Sequence, residues 1–287
     1  NMSEMMKFND NEVMKFLSKE ELMEICPVAM KDKPTNPGVS DKYVHANTMT
    51  VVDDLAKLGW YPVQAKQRKA RKNSSGIRSF HMIAFQNPDV KIEKRDSDGN
   101  ITTEAYPRII LTNSHDGFNS FRFMVGVFRL VCSNGLVIAT DKMVDMSVRH
   151  INYTFDVLRD VVKKSVEQIP DVVMTMNTMK NVILTDEQKR RLAEDVYRIR
   201  KDYDDDVKVK IDSEIIDDIL APVRDEDKGD DLWSVFNVCQ EKMIKGGFIN
   251  KTRTNRCMKV RSITSVKKDL NYNQRLWKSA MKYMERV

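Results

Sequence analysis

"TNSHDGFNSFRFMVGVFRLVCSNGL", residues 112–136, holds two readings of this chain, one chemical and one structural. Ser114, His115 and Asp116 stand side by side, Cys132 follows seventeen residues after the histidine, and Arg122 and Arg129 are set among Phe121, Phe123 and Phe128. A hydrolase triad needs its base to reach the nucleophile while a third group orients the base from behind. Consecutive residues near a strand end point to alternating sides, so these three cannot converge on one atom. No G-x-S-x-G elbow occurs elsewhere in the chain to supply another nucleophile. Asp116-Gly117 is instead a turn signal, so Arg108–Asn113 should pair with the strand that follows it. Cys132 ends an apolar, β-branched run, where a small thiol packs rather than reacts. Ser133-Asn134-Gly135 marks a second turn, and the stretch becomes strand, turn, strand. Arg122 and Arg129, seven residues apart, face opposite sides of a regular strand; a bulge at Gly126 would bring them to one face.

The segments before this hairpin extend the sheet. "NTMTVVDDLAKLGWYPV" puts Val51, Val52, Leu55 and Leu58 on one helical face, with Asn47 or Thr48 to cap its start and Gly59 to end it. "IRSFHMIAFQNP" alternates as a strand, with Ile77, Phe80, Met82 and Ala84 inward. Asp98-Gly99 predicts a further hairpin turn. Residues 1–46 contain short helical pieces broken by "CPVAMKDKPTNPG".

Beyond Asp141 the period changes to that of a helix. Phe155, Leu158, Val162, Val166 and Ile169 are spaced three and four apart ahead of Pro170. Thr185 with Gln188 forms a capping box that opens a helix through Leu192, Val196 and Ile199. "LWSVFNVCQEKMIKGG" ends at Gly246, and a last amphipathic helix over 270–286 carries Leu276, Trp277, Ala280 and Tyr283. The order predicts an α+β fold: an antiparallel sheet of hairpins backed by a long helix, followed by a helical C-terminal half. The expected division is a lead-in over 1–46, an α+β sheet core over 47–180 and a helical region over 181–287 packed on it, the alternative being a single domain throughout.

Composition narrows the function. No run approaches 18 apolar residues, and no basic-then-apolar leader opens the chain, so neither a membrane span nor a secretory signal is expected. Four scattered cysteines, without a C-x-x-C pair, point to reduced thiols and a cytoplasmic protein. The four histidines lie 34 to 36 residues apart, so no metal site is expected. Neither a Walker nor a dinucleotide glycine motif is present, and no cofactor is expected.

The charge is segregated. Lys66, Arg68, Lys69, Arg71, Lys72 and Arg78 fall in 60–80 with no acidic residue among them. Nine more cations, Lys251, Arg253, Arg256, Lys259 and Arg261 included, fall in 242–268, again with no acidic residue. Between the two segments, 202–231 holds thirteen acidic and four basic residues. Such segregation fits either a surface for a polyanion or two solvated loops and an acidic linker. Cations neutralise phosphates, and Phe80 beside the first cluster offers a face for an unpaired base. The candidate nucleic-acid contacts are therefore Lys66, Arg68, Lys69, Arg71, Lys72, Arg78, Phe80, Arg122, Arg129, Lys251, Arg253, Arg256, Lys259 and Arg261, with no catalytic residue.

"LTNSHDGFNSFRFMVGVFRLVCSNGL", "LWSVFNVCQEKMIKGG" and "VRSITSVKKDLNYNQRLWKSA" together resemble the phage/plasmid-like protein family, a domain of unknown function found in phages and mobile elements, over roughly 40–285. The resemblance implies mobile-element origin, association with DNA-processing genes and no agreed enzymatic activity. The element order is also similar to that of phage single-strand annealing proteins of the RecT and Red-beta group, a likeness of architecture only. The expectation is a non-catalytic protein of a phage or mobile element that binds single-stranded DNA in replication or recombination, in the host-cell cytoplasm and as a homo-oligomer. Its rival is an interaction module that engages a phage or host replication protein, in counter-defence for example.

Overall fold

A computed structural model describes residues 5–9, 12–27, 47–67, 81–113, 120–129, 136–139, 146–149 and 153–285. The strands are β1 (Met5–Asn9), β2 (Glu12–Lys15), β3 (Tyr61–Gln67), β4 (His81–Gln86), β5 (Ile92–Arg95), β6 (Ile101–Asn113), β7 (Ser120–Arg129), β8 (Leu136–Ala139), β9 (Met146–Arg149), β10 (Ile249–Lys251) and β11 (Cys257–Lys259). The helices are α1 (Lys19–Ile25), α2 (Thr48–Lys57), α3 (Phe155–Glu167), α4 (Ile169–Met179), α5 (Asp186–Arg200), α6 (Ser213–Leu220), α7 (Leu232–Lys245) and α8 (Val266–Met281). The fold is α+β, and the chain divides into two compact units, 1–131 with 141–169 and 132–140 with 170–287. Among the described residues no helix is long and apolar enough to cross a membrane.

The first unit is built on an antiparallel sheet in which β3, β4, β6 and β7 are successive neighbours, with β5 paired to β6 and β9 to β7. Asp96 Oδ1 accepts from the amides of Asp98 and Asn100, and Gly99 takes φ +83°, closing the expected turn between β5 and β6. Arg108–Asn113 does pair with the strand after it, from Arg108 opposite Gly126 to Asn113 opposite Phe121. On the other edge of β6, β5 pairs through Ala105 and β4 from Ile109. Pro107, which has no N–H to donate, falls in the gap between these two pairings.

Direct pairs share a face, so one face of the sheet carries Ile83, Phe85, Ile109, Leu111, Phe121 and Phe123. These join Val51, Val52 and Leu55 of α2 and Leu158, Val161 and Val162 of α3 in one core. Asn47 Oδ1 caps α2 by accepting from Thr50 N at 2.8 Å, and Gly59 leaves the helix at φ +86°. The α3 stripe runs through Leu158, Val161, Val162 and Ser165, so Val166, expected inside, is exposed. β4 is buried on both faces rather than alternating, because Met82, Ala84 and Gln86 are buried as well as Ile83 and Phe85. Ile77 and Phe80 lie outside the described residues, as do Ser114, His115, Asp116 and Cys132. The lead-in opens on the β1–β2 hairpin where only helical pieces were expected.

In the second unit α7 packs against α5, α6 and α8 and is buried nearly all round. Trp277 of α8 meets the Phe236 ring edge-on, centroids 5.4 Å apart. Thr185 and Gln188 form the expected capping box of α5, and Asp231 and Ser265 cap α7 and α8. Pro170 stands in the first turn of α4, where its missing donor costs nothing.

The acidic run is not a solvated linker. Asp202 accepts the Tyr272 hydroxyl at 2.6 Å, Asp217 pairs with Arg190 at 2.7 Å, Asp227 is buried, and α6 lies within the run. Part of this run, Asp202, Asp217 and Asp227 included, is thus taken up in holding the unit together.

Candidate nucleic-acid interface

The C-terminal basic segment folds as a pinned hairpin. β10 and β11 pair from Ile249–Lys259 to Lys251–Cys257. The five residues between them form a closed tip, with Thr252 N donating to Arg256 O at 3.0 Å and Asn255 at φ +62°. The base is fixed from four sides. Lys251 Nζ reaches Asp212 at 3.0 Å and Glu214 at 3.4 Å, so Asp212 above all holds this ammonium above its ordinary range. Asp218 accepts the Ile249 amide at 2.6 Å. Arg200 donates to the carbonyls of Met243 at 2.8 Å and Arg261 at 2.5 Å, bridging the end of α7 to the segment that follows the hairpin. Gly246 takes φ +69°, and a Cβ there would lie 2.4 Å from the Val260 carbonyl oxygen. Only glycine fits this approach.

Above this base the side chains stand free. Arg253, Arg256, Lys259 and Arg261 are exposed, and none is ion-paired among the described residues. Lys251, the fifth member expected to contact phosphate, is occupied by Asp212 and Glu214. Lys245 and Lys268 of the same segment pair with Glu241 and Asp202. The hairpin thus offers four cations above a base in which Lys251 is already paired with Asp212 and Glu214.

The first basic cluster is placed only at its start. Lys66 is half-buried at the end of β3, opposite Met82. Arg68, Lys69, Arg71, Lys72, Arg78 and Phe80 lie outside the described residues. Pairing of β6 with β7 runs through Gly126 without a shift of register, so the conditional bulge is absent. Arg122 and Arg129 stay on opposite faces. Arg129 is buried on the face of Phe121 and Phe123, while Arg122 is half-buried on the other. The chain of direct pairs Lys66–Met82, Met82–Thr112 and Thr112–Arg122 sets Lys66 and Arg122 on the same face.

That face also carries an arginine outside the expected set. Arg108 is 7% exposed. Its Nε donates to Gln86 Oε1 at 2.9 Å and its Nη1 to Gln64 Oε1 at 3.1 Å, and its guanidinium lies 4.1 Å from the Phe128 ring centroid. Burial pushes the guanidinium down to about 10. The signals in sequence were Pro107 before it and Gly126, which only the pairing brings opposite.

The family profile described as "Domain of unknown function (DUF932)" matches residues 38–277. The chain belongs to this family. Two relatives from Escherichia coli K12, UPF0380 protein YafZ and UPF0380 protein YfjQ, are each 28% identical to it over 265 residues, 91% of this chain and 89% of theirs. No solved structure matches significantly. The DUF932 match encloses the sheet from β3 to β9 and the whole β10–β11 hairpin, so both cationic surfaces lie within the shared span. The resemblance to a family of unknown function, read over roughly 40–285, holds; the architectural likeness to annealing proteins finds no support in these relatives.

Proposed function

We propose that the protein binds nucleic acid without catalysis, single-stranded DNA above all, and that the β10–β11 hairpin contacts the phosphate backbone. The observation that supports this reading is the set of four exposed cations, Arg253, Arg256, Lys259 and Arg261, none ion-paired among the described residues, on a hairpin fixed at its base. A pinned stalk holds charges at set positions, which lowers the ordering cost of binding compared with a flexible loop. Residues 249–261 contain no aromatic side chain, so the hairpin grips phosphate rather than reading bases.

Fluorescence anisotropy with single-stranded DNA, duplex DNA and RNA at two salt concentrations tests it. The expected result is binding that weakens steeply with salt, by a log–log slope of about 0.7 for each phosphate neutralised on a single strand. Salt-independent binding, or none at low salt, would falsify the reading.

A second reading draws support from Met258, 52% exposed between the cations. An apolar side chain among positive ones also suits an acidic protein partner. Capture from host lysate with and without nuclease separates the two, since a partner retained after nuclease favours the protein.

A further inference from the structure

Arg108 is held in a way that leaves its charge unanswered. A buried cation is ordinarily paired with a carboxylate, because an unpaired buried charge is costly. Here both hydrogen-bond partners are neutral amides, Gln86 at 2.9 Å and Gln64 at 3.1 Å, and the third neighbour is the Phe128 ring at 4.1 Å. Burial lowers its pKa to about 10, so at neutral pH it remains protonated, and it has no carboxylate partner among the described residues. The two bonds use two of the five N–H donors that a guanidinium carries. Nη2 is not among the buried polar atoms left without a partner, so it keeps some contact with solvent.

One flank of the guanidinium carries no side chain. Gly126, directly opposite on β7, adds no side chain beside the guanidinium. On the other edge, Arg108 lies in the gap between the β5 and β4 pairings. Phe128 and Gln86 fix the plane of the fork, and a fixed, planar fork matches the oxygens of a phosphate group better than an ammonium could. Lys66 and Arg122 lie on this same face.

We propose that Arg108 anchors an oxyanion site on this face of the sheet, built from Gln64, Gln86 and Phe128, that takes a phosphate group. The site is separate from the hairpin and stands whether or not the hairpin binds nucleic acid. The phosphate is either free or part of a nucleic-acid backbone, and both deliver the same oxygens to the fork.

The discriminating variant is Gln64→Glu, which places a carboxylate on Nη1 and supplies the missing counter-charge from within. Thermal unfolding of the full chain is followed against inorganic phosphate, with chloride at matched ionic strength as the reference. The wild type should gain about 3 °C in Tm at twenty times Kd. Gln64→Glu should unfold at a higher temperature than wild type without phosphate and show no phosphate-specific gain. Arg108→Lys, which keeps the charge and loses the fork, should weaken phosphate binding at least several-fold. No phosphate-specific shift in the wild type, or an equal shift in Gln64→Glu, overturns the site. A 12-nucleotide single strand added to the chain with Arg253, Arg256, Lys259 and Arg261 all changed to alanine identifies the source. Residual binding competed by phosphate marks a backbone phosphate; a phosphate shift with no residual strand binding marks a free one. Loss of all strand binding in that quadruple variant leaves the Arg108 result intact, so the two proposals fail separately.

Discussion

Arg253 and Arg108 carry the same charge under opposite constraints. Arg253 stands exposed at the tip of a hairpin whose base is held by Asp212, Glu214 and Asp218, and its side chain has no ion-pair partner among the described residues. Arg108 is buried in a sheet, oriented by two amides and a ring, and its charge is answered by none of them. An exposed cation acts through a screened field, so its contribution is additive and fades with salt. A buried one acts at short range in a low dielectric, so its contribution depends on geometry and far less on salt. The same protein holds positive charge in both forms, and a substitution affects each by a different route.

The largest expected effect falls on the stalk that makes the exposed form possible. Gly246→Val places a branched side chain at φ +69°, with its Cβ 2.4 Å from the carbonyl oxygen of Val260 and 2.7 Å from that of Arg261. Since both obstacles are backbone, neither can rotate away. The second unit should lose about 3 kcal/mol or more in urea unfolding, and strand binding should fall with it.

Next in size is the ion pair beneath the same helix end. Arg224 donates to both oxygens of Glu241, Nε to Oε2 at 3.1 Å and Nη2 to Oε1 at 2.5 Å, and Lys245 adds a third contact at 3.3 Å. Burial raises the Glu241 carboxyl, but the Arg224 and Lys245 contacts outweigh that and hold it below its ordinary 4.5. A carboxyl lowered by folding contributes stability that is full above its unfolded value and is lost as pH falls through its folded value. Glu241→Gln should therefore cost about 2 kcal/mol at pH 7, and the gap from wild type should narrow as pH drops below 4.5. A gap constant over pH 3 to 7 would show that the pair contributes through shape alone.

Thiol labelling sharpens the contrast between exposed and buried groups without altering either. Cys257 is exposed on β11, whereas burial pushes the Cys26 thiol up to about 12 and that of Cys239 higher still. Reaction follows the thiolate, so a maleimide at neutral pH should modify Cys257 and spare Cys26 and Cys239 in the native protein. Mass mapping of the labelled peptides reads the outcome, and bound strand should slow the Cys257 reaction.

What could be read in the sequence was what depends on near neighbours. Asn47 and Gly59 bounded α2, Thr185 with Gln188 opened α5, and Asp98-Gly99 closed its turn, because capping and turn bonds span four residues or fewer. The β6–β7 pairing was legible for the same reason, since one turn separates its strands. The rest was set at a distance. Gly126 looked like a bulge because a strand glycine often is one, but what faces it is Arg108, eighteen positions earlier on another strand. Arg108 itself gave no sign of burial, since the gap around it arises only when β5 and β4 leave β6 at different points. Acidic and basic runs could be counted, but not that Asp212, Glu214 and Asp218 would reach back to fix the base of the hairpin.

The smallest effect on stability belongs to the residues expected to matter most for binding. Arg253, Arg256, Lys259 and Arg261 form no ion pair among the described residues and are exposed, so changing all four to alanine should leave unfolding within about 0.5 kcal/mol of wild type. The fold loses no partner when they go. If each neutralises one phosphate, the salt slope of strand binding should fall by about 0.7 per cation removed, and affinity at low salt should fall more than affinity at high salt. Lys251→Ala, paired with Asp212 and Glu214 in the free protein, should lower the slope less than Arg253→Ala does, because its counter-charges are already in place. Equal slopes for the two variants would mean that strand binding pulls Lys251 away from its carboxylates, and the division between stalk and tip would then lie one residue lower.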